Sequence, residues 1–175
     1  MTQLLLKKQL PFFKKVSLFN KLDDEKINLL IEIMKIRDVK AGDIITQEGA
    51  NEDTVFILIN GEVEISKRLL LPLWEEESSR QEKSLTHLSA KDHPFFGEMI
   101  LFEDKPERSA SIFAVHDSTL AVLHKRDMLN ILDKNPQIGS IIYKNIAQEL
   151  TFRLIKANHD ILKLSTAFCL ALEGE

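Results

Sequence analysis

The chain has little of what builds a disulfide-stapled, membrane-spanning or strongly charged protein. It holds one cysteine, Cys169, and only one tryptophan and one tyrosine among 175 residues. A lone cysteine excludes an internal disulfide framework. No uninterrupted apolar run reaches the length needed to cross a bilayer. Near the N-terminus, Lys7, Lys8, Lys14 and Lys15 interrupt the apolar residues, and no small-residue cleavage site follows. A signal peptide is therefore not expected, and a cytoplasmic protein is the simplest account. The formal net charge of -4 leaves no basic excess. A protein that coats nucleic acid non-specifically needs a basic surface, so nucleic acid is not an expected partner.

Catalytic and metal signatures are absent too. The histidines His87, His93, His116, His124 and His159 are dispersed, and no pair has the spacing of zinc or iron ligands. No Gly-x-Ser-x-Gly elbow, Walker loop or dinucleotide fingerprint occurs. No enzyme and no cofactor are expected. Leu4-Leu5-Leu6-Lys7-Lys8 and Phe12-Phe13-Lys14-Lys15 mix apolar and cationic residues in the manner of a membrane-surface helix. Pro11 interrupts that helix, and its apolar side serves equally well for docking on a core, so no membrane contact is expected.

What is present is enough apolar residue for a core, 44% of the chain, at a length typical of one domain. The pattern falls into three parts: a helical segment over 1–35, strands over 36–124, and helices over 125–175. In the first, Leu22, Ile27, Leu30, Ile31 and Met34 recur at helical spacing, Ser17 or Asp23 is placed to cap, and Pro11 breaks the first helix. In the second, Asp43–Thr46, Val55–Ile59, Val63–Ile65, Ser111–Val115 and Thr119–Leu123 are short and rich in β-branched residues, with Gly42, Gly49 and Gly61 at turns. Many short strands with regular turns predict a jelly-roll-like sandwich or barrel. The fold class is mainly β with flanking helices and a long C-terminal helix.

The stretch Phe96-Gly97-Glu98-Met99-Ile100-Leu101-Phe102-Glu103-Asp104-Lys105-Pro106-Glu107-Arg108-Ser109-Ala110-Ser111 carries the functional signal. It sets a Gly-Glu pair ten residues ahead of an Arg-Ser-Ala triplet, with an apolar run and a charged turn between. It resembles the phosphate-binding cassette of the cyclic nucleotide-binding domains, the family of the catabolite activator protein and the kinase regulatory subunits. The resemblance implies a β-roll (a double-stranded β-helix) and a ligand site at Gly97, Glu98, Met99, Arg108, Ser109 and Ala110. The chemistry suits it. Arg108 offers paired, permanently charged donors to a cyclic phosphate. Gly97 lets backbone approach closely, and a short helix over Glu98–Phe102 would turn free N–H groups to the phosphate. Glu98 would be repelled by phosphate and suits the ribose 2′-hydroxyl. Ser109 supplies a further donor, and Ala110 is the small residue behind the site.

The likeness extends from about Phe19 to Lys163 and includes Ala41-Gly42-Asp43-Ile44-Ile45, Gln47-Glu48-Gly49 and Ile57–Val63. Two departures stand out. The segment from Leu69 to Lys91 is longer than the family's usual turn. Its apolar start, Leu69–Trp74, and acidic Glu75–Ser79 suit either a partner-binding loop or a long hairpin covering its own roll. The hairpin is preferred. In addition, Asp92-His93-Pro94 stands where the family often has a glycine, and a proline-fixed turn is expected there.

The C-terminal helix starts near Pro136. Leu150, Leu154, Ala157, Ile161, Leu164, Phe168 and Ala171 follow at alternating gaps of four and three, a heptad seam. Ile138, Ile142 and Ile146 are expected to pack on the chain's own core, and the later turns to form a homodimer. In the family this helix also closes over the base, which puts Arg153 near the purine. Cys169 lies outside the seam.

The expected function is a stand-alone cyclic nucleotide-binding regulator that acts on a separate, unidentified effector. The sequence ends at Glu175 without the winged helix of the transcriptional relatives, so the output is expected to be a separate partner, or the chain a fragment of something longer. The Arg-Ser-Ala form resembles bacterial cAMP receptors and favours cAMP over cGMP, although a serine hydroxyl could reach a guanine amino group. Two alternatives compete. One is a nucleotide-free dimeric interaction module with the same fold, which Glu98 and Arg108 argue against. The other is a cupin-like enzyme, which the missing histidine cluster argues against.

Overall fold

The computed structural model describes residues 2–68, 82–104 and 107–173. Leu69–Trp74 and Glu75–Ser79, with Lys105 and Pro106 of the cassette, lie outside the described residues. Eight strands form two four-stranded antiparallel sheets. They are β1 (Lys35–Val39), β2 (Ile44–Thr46), β3 (Thr54–Asn60), β4 (Glu62–Arg68), β5 (Glu82–Ser89), β6 (Phe95–Phe96), β7 (Ser111–Ala114) and β8 (Ser118–His124). One sheet runs β1-β8-β3-β6 and the other β2-β7-β4-β5.

The unbroken apolar run of β3 has a simple cause: Val55, Phe56, Ile57 and Leu58 are all buried, so the strand is covered on both faces. Phe56 and Leu58 join Phe96, Leu120, Val122, Val63 and Ile112 in a core between the sheets. Val55 and Ile57 turn the other way, with Phe95, Ala121 and Leu123, into a second core shared with the helices.

Those helices are α1 (Thr2–Lys8), α2 (Leu10–Phe13), α3 (Asp24–Glu32), α4 (Lys125–Lys134) and α5 (Pro136–Glu173). Asp23 caps α3 by accepting from the Lys26 N–H at 2.9 Å. Ser17 makes no such cap; it opens a 3-10 turn, Ser17–Phe19. The break near Pro11 also differs from expectation. The chain interrupts at Gln9, and Pro11 sits in the first turn of α2, where its missing N–H costs nothing.

β5 pairs with β4 from Glu62↔Ser89 to Arg68↔Glu82, so the described ends of the long segment form a hairpin; the apolar Leu69–Trp74, on which the choice between covering hairpin and partner-binding loop turns, lies outside the described residues. His93, not Pro94, makes the tight turn before β6: it takes left-handed φ 52. Ile138, Ile142 and Ile146 of α5 are buried in the helical core, as expected. Asn145 pins α5 to the 3-10 turn, donating to the carbonyls of Leu18 and Asn20 at 2.8 Å each. From Leu154 to Leu172 every residue of α5 is exposed. No described helix is long and apolar enough to cross a membrane.

Candidate functional site

Sheet pairing builds the site. The two-residue strand β6 aligns Phe96 with Phe56 and Phe95 with Ile57, which sets Gly97 against the start of β3. Gly97 takes φ 80 and opens a 3-10 helix, Glu98–Phe102. Across the site, the backbone around Arg108 is fixed to the loop before β3. The Arg108 N–H donates to the Ala50 carbonyl at 2.9 Å, and the Gly49 N–H to the Arg108 carbonyl at 2.8 Å.

All the residues expected from the sequence line a single pocket: Gly97, Glu98, Met99, Arg108, Ser109, Ala110 and Arg153. Thr46, Ile65, Phe96 and Ile112 add to its walls. Met99 and Ser109 are exposed, whereas Gly97 and Ala110 are half-buried.

The Arg108 side chain is 4% exposed, yet it is held on three sides. Nε donates to Glu52 Oε2 at 3.0 Å, and Nη2 donates to both the carbonyl and the hydroxyl of Thr54 at 2.7 Å. Its guanidinium lies over the Phe56 ring, 5.2 Å from the centroid. Nη1 approaches Gly97 so closely that a Cβ there would stand 2.6 Å from it. That contact explains the glycine at this position better than turn geometry alone. Burial pulls the Arg108 pKa below its ordinary value, and the hydrogen bond and charge of Glu52 oppose this. The group remains a cation at any ordinary pH.

Glu98 is 2% exposed. Its Oε1 accepts from Arg153 Nη1 at 2.9 Å, while its Oε2 is buried with no hydrogen-bond partner among the described residues. Burial raises the carboxyl's pKa above its ordinary value, and the charge of Arg153 pulls it back. Arg153 reaches the site from α5 and is fully engaged. Nη2 donates to the Phe95 carbonyl at 2.9 Å and Nε to Glu149 at 3.0 Å. Its guanidinium also lies 5.5 Å from the Phe95 centroid. The sequence placed Arg153 beside the purine; in this structure it sits on the acid of the cassette.

Sequence reasoning missed Glu52, Thr54 and Glu149, the residues that aim the two arginines. It also missed Thr46, whose buried hydroxyl lacks a hydrogen-bond partner. The histidines scatter over the surface: His87 and His116 lie near Glu62, and His124 near Asp53.

Known proteins share this frame. A model of the cyclic nucleotide-binding domain matches residues 36–135. A cGMP-dependent protein kinase of Plasmodium berghei is 32% identical over 120 residues, which are 69% of this chain and 12% of the kinase. The cyclic AMP receptor protein of Thermus thermophilus is 29% identical over 148 residues, 85% of this chain and 62% of the receptor. The chain thus spans only a part of each relative's length. The crystal structure of a cyclic nucleotide-binding domain from Methylobacillus flagellatus superposes with TM-score 0.74, covering 91% of this chain and 84% of that one. At 22% identity it speaks to the fold alone.

Proposed function

The chain belongs to the cyclic nucleotide-binding domain family, and we propose that it is a cytoplasmic regulator that binds cAMP in preference to cGMP and passes the event to a separate effector protein. One observation carries the reading: a buried guanidinium, aimed by Glu52 and Thr54, presents its remaining edge at Gly97, where a Cβ would stand 2.6 Å from it. Such an arrangement costs desolvation energy in the ligand-free protein and is recovered when an anion arrives.

Phosphate is the anion that fits. Glu98 next door forbids a ligand that is anionic throughout, and its unpartnered Oε2 calls for a hydroxyl donor. A cyclic phosphate fused to a ribose supplies both. Because Oε1 stays with Arg153, Glu98 would then join ligand to α5 directly. The preference for cAMP rests on the Arg108-Ser109-Ala110 form and on the resemblance to the receptor. The kinase resemblance pulls towards cGMP.

Binding is coupled to a change in the helix that meets the site. Two residues of the pocket wall reach solvent, Met99 and Arg153, and Arg153 belongs to α5. Movement of α5 would reach the effector through a dimer. Leu154, Ile161, Leu164 and Phe168 are 61–67% exposed along the heptad seam. A row of that size on one monomer is a partner surface, and a second copy of the seam matches it.

The Arg153–Glu98 pair also favours a second reading, in which the chain satisfies its own ribose acid and serves as a nucleotide-free dimeric interaction module. Isothermal titration with cAMP and cGMP, with Arg108→Ala as control, separates the two.

A further inference from the structure

Two buried polar atoms lack partners among the described residues: Glu98 Oε2 and Thr46 Oγ1. Both residues line the same pocket. Glu98 is accounted for by a ligand hydroxyl; Thr46 is not part of the cassette at all. It ends strand β2, pairs with Ile112 of β7 across a register shift, and is 1% exposed. Ile65, Phe96, Ile112 and Ala110 give the same pocket hydrocarbon lining. A hydroxyl buried there without a partner is costly to the ligand-free fold, and a valine would fill the same space without that cost.

The geometry points to Thr46 as a direct contact to the nucleobase, and so as a residue that sets base choice. This rests on the nucleotide reading above. With phosphate assigned to Arg108 and Gly97 and ribose to Glu98, the remaining part of the ligand is a flat, largely apolar ring with a polar edge. The apolar wall suits the ring faces. Thr46 brings a buried, unpartnered hydroxyl to that pocket, and the hydroxyl can both donate and accept. It can therefore answer the exocyclic group that tells the bases apart, an adenine amino group or a guanine carbonyl. A binding site built to satisfy such a group rejects ligands that leave it unpaired.

The test is titration of the full chain and its Thr46→Val and Thr46→Ser variants. The ligands are cAMP, cGMP and the cyclic nucleotide of unsubstituted purine, and the melting temperature of each ligand-free protein is measured alongside. Thr46→Val is expected to bind the preferred nucleotide about fivefold to tenfold more weakly, the worth of one neutral hydrogen bond. The ratio between cAMP and cGMP should shift, and Thr46→Ser should stay near wild type. The loss should shrink with unsubstituted purine. Ligand-free Thr46→Val should melt no lower than wild type, which separates a contact from a structural role. Unchanged affinity of Thr46→Val for all three ligands, while Arg108→Ala still loses binding, overturns the proposal and leaves the nucleotide reading standing. A lower melting temperature with a uniform loss for all three makes Thr46 structural and also overturns it. If wild type binds none of them, both readings fall together.

Discussion

Arg153 and Glu98 stand 55 residues apart in the chain and meet in an ion pair of 2.9 Å. The carboxylate is buried and the arginine is 39% exposed. The pair ties the start of the exposed part of α5 to the cassette. It places the helix within one side chain of the pocket.

Replacing Arg108 tests the anchor. Arg108→Ala is expected to weaken nucleotide binding at least about a hundredfold, about 2.7 kcal/mol. Gly97→Ala should fall between this variant and wild type. It forces φ 80 on an alanine and sets a Cβ 2.6 Å from Arg108 Nη1, displacing the guanidinium without removing it. Binding curves for the two variants check the order.

Glu98 gives a pH signature. Its folded pKa is raised above the ordinary 4.5, chiefly by burial. The folded state therefore holds the proton more tightly than the unfolded chain. The resulting stabilisation is full below the unfolded pKa and is lost as pH rises through the folded one. Glu98→Gln has no such titration. Its melting temperature relative to wild type should therefore be lowest in acid, rise with pH from about 4.5 upward, and then level off. Thermal melts of both proteins across that range measure it.

Arg153→Ala should leave the buried Glu98 carboxylate without its cation. Ligand-free protein should lose stability, and the loss should grow as pH rises, because the lost attraction acts only on the ionised carboxyl. Nucleotide binding should weaken less than in Arg108→Ala, with a changed ratio of cAMP to cGMP. Melts at two pH values and paired titrations test both halves.

The exposed seam tests assembly. Leu154→Asp with Ile161→Asp puts carboxylates into an apolar row that the fold itself does not cover. Light scattering should then give a monomer of 20.1 kDa where wild type gives a dimer. Circular dichroism should show the roll intact, since neither side chain is buried in it.

Much of this was legible in the sequence because it rests on local pattern. The β-branched runs marked β3, β7 and β8, and the resemblance to a known phosphate-binding cassette pointed to Gly97, Glu98 and Arg108. The heptad seam separated the buried Ile138, Ile142 and Ile146 from the exposed Leu154 onward. What escaped depends on tertiary placement. Glu52 and Thr54 look like loop and strand-edge residues until antiparallel pairing brings them to Arg108. β6 is two residues long and has no period to read. Arg153 was assigned by counting along a helix, and counting cannot show that a buried acid lies within reach. Proline at position 11 reads as a breaker by itself, yet the first turn of a helix accepts it.

Calorimetric titration of the full chain with cAMP and cGMP tests the central claim most directly. The account predicts saturable binding at one site per chain, tighter for cAMP and lost in Arg108→Ala. Absence of binding by either nucleotide at millimolar concentration would contradict it and leave the fold as an interaction module.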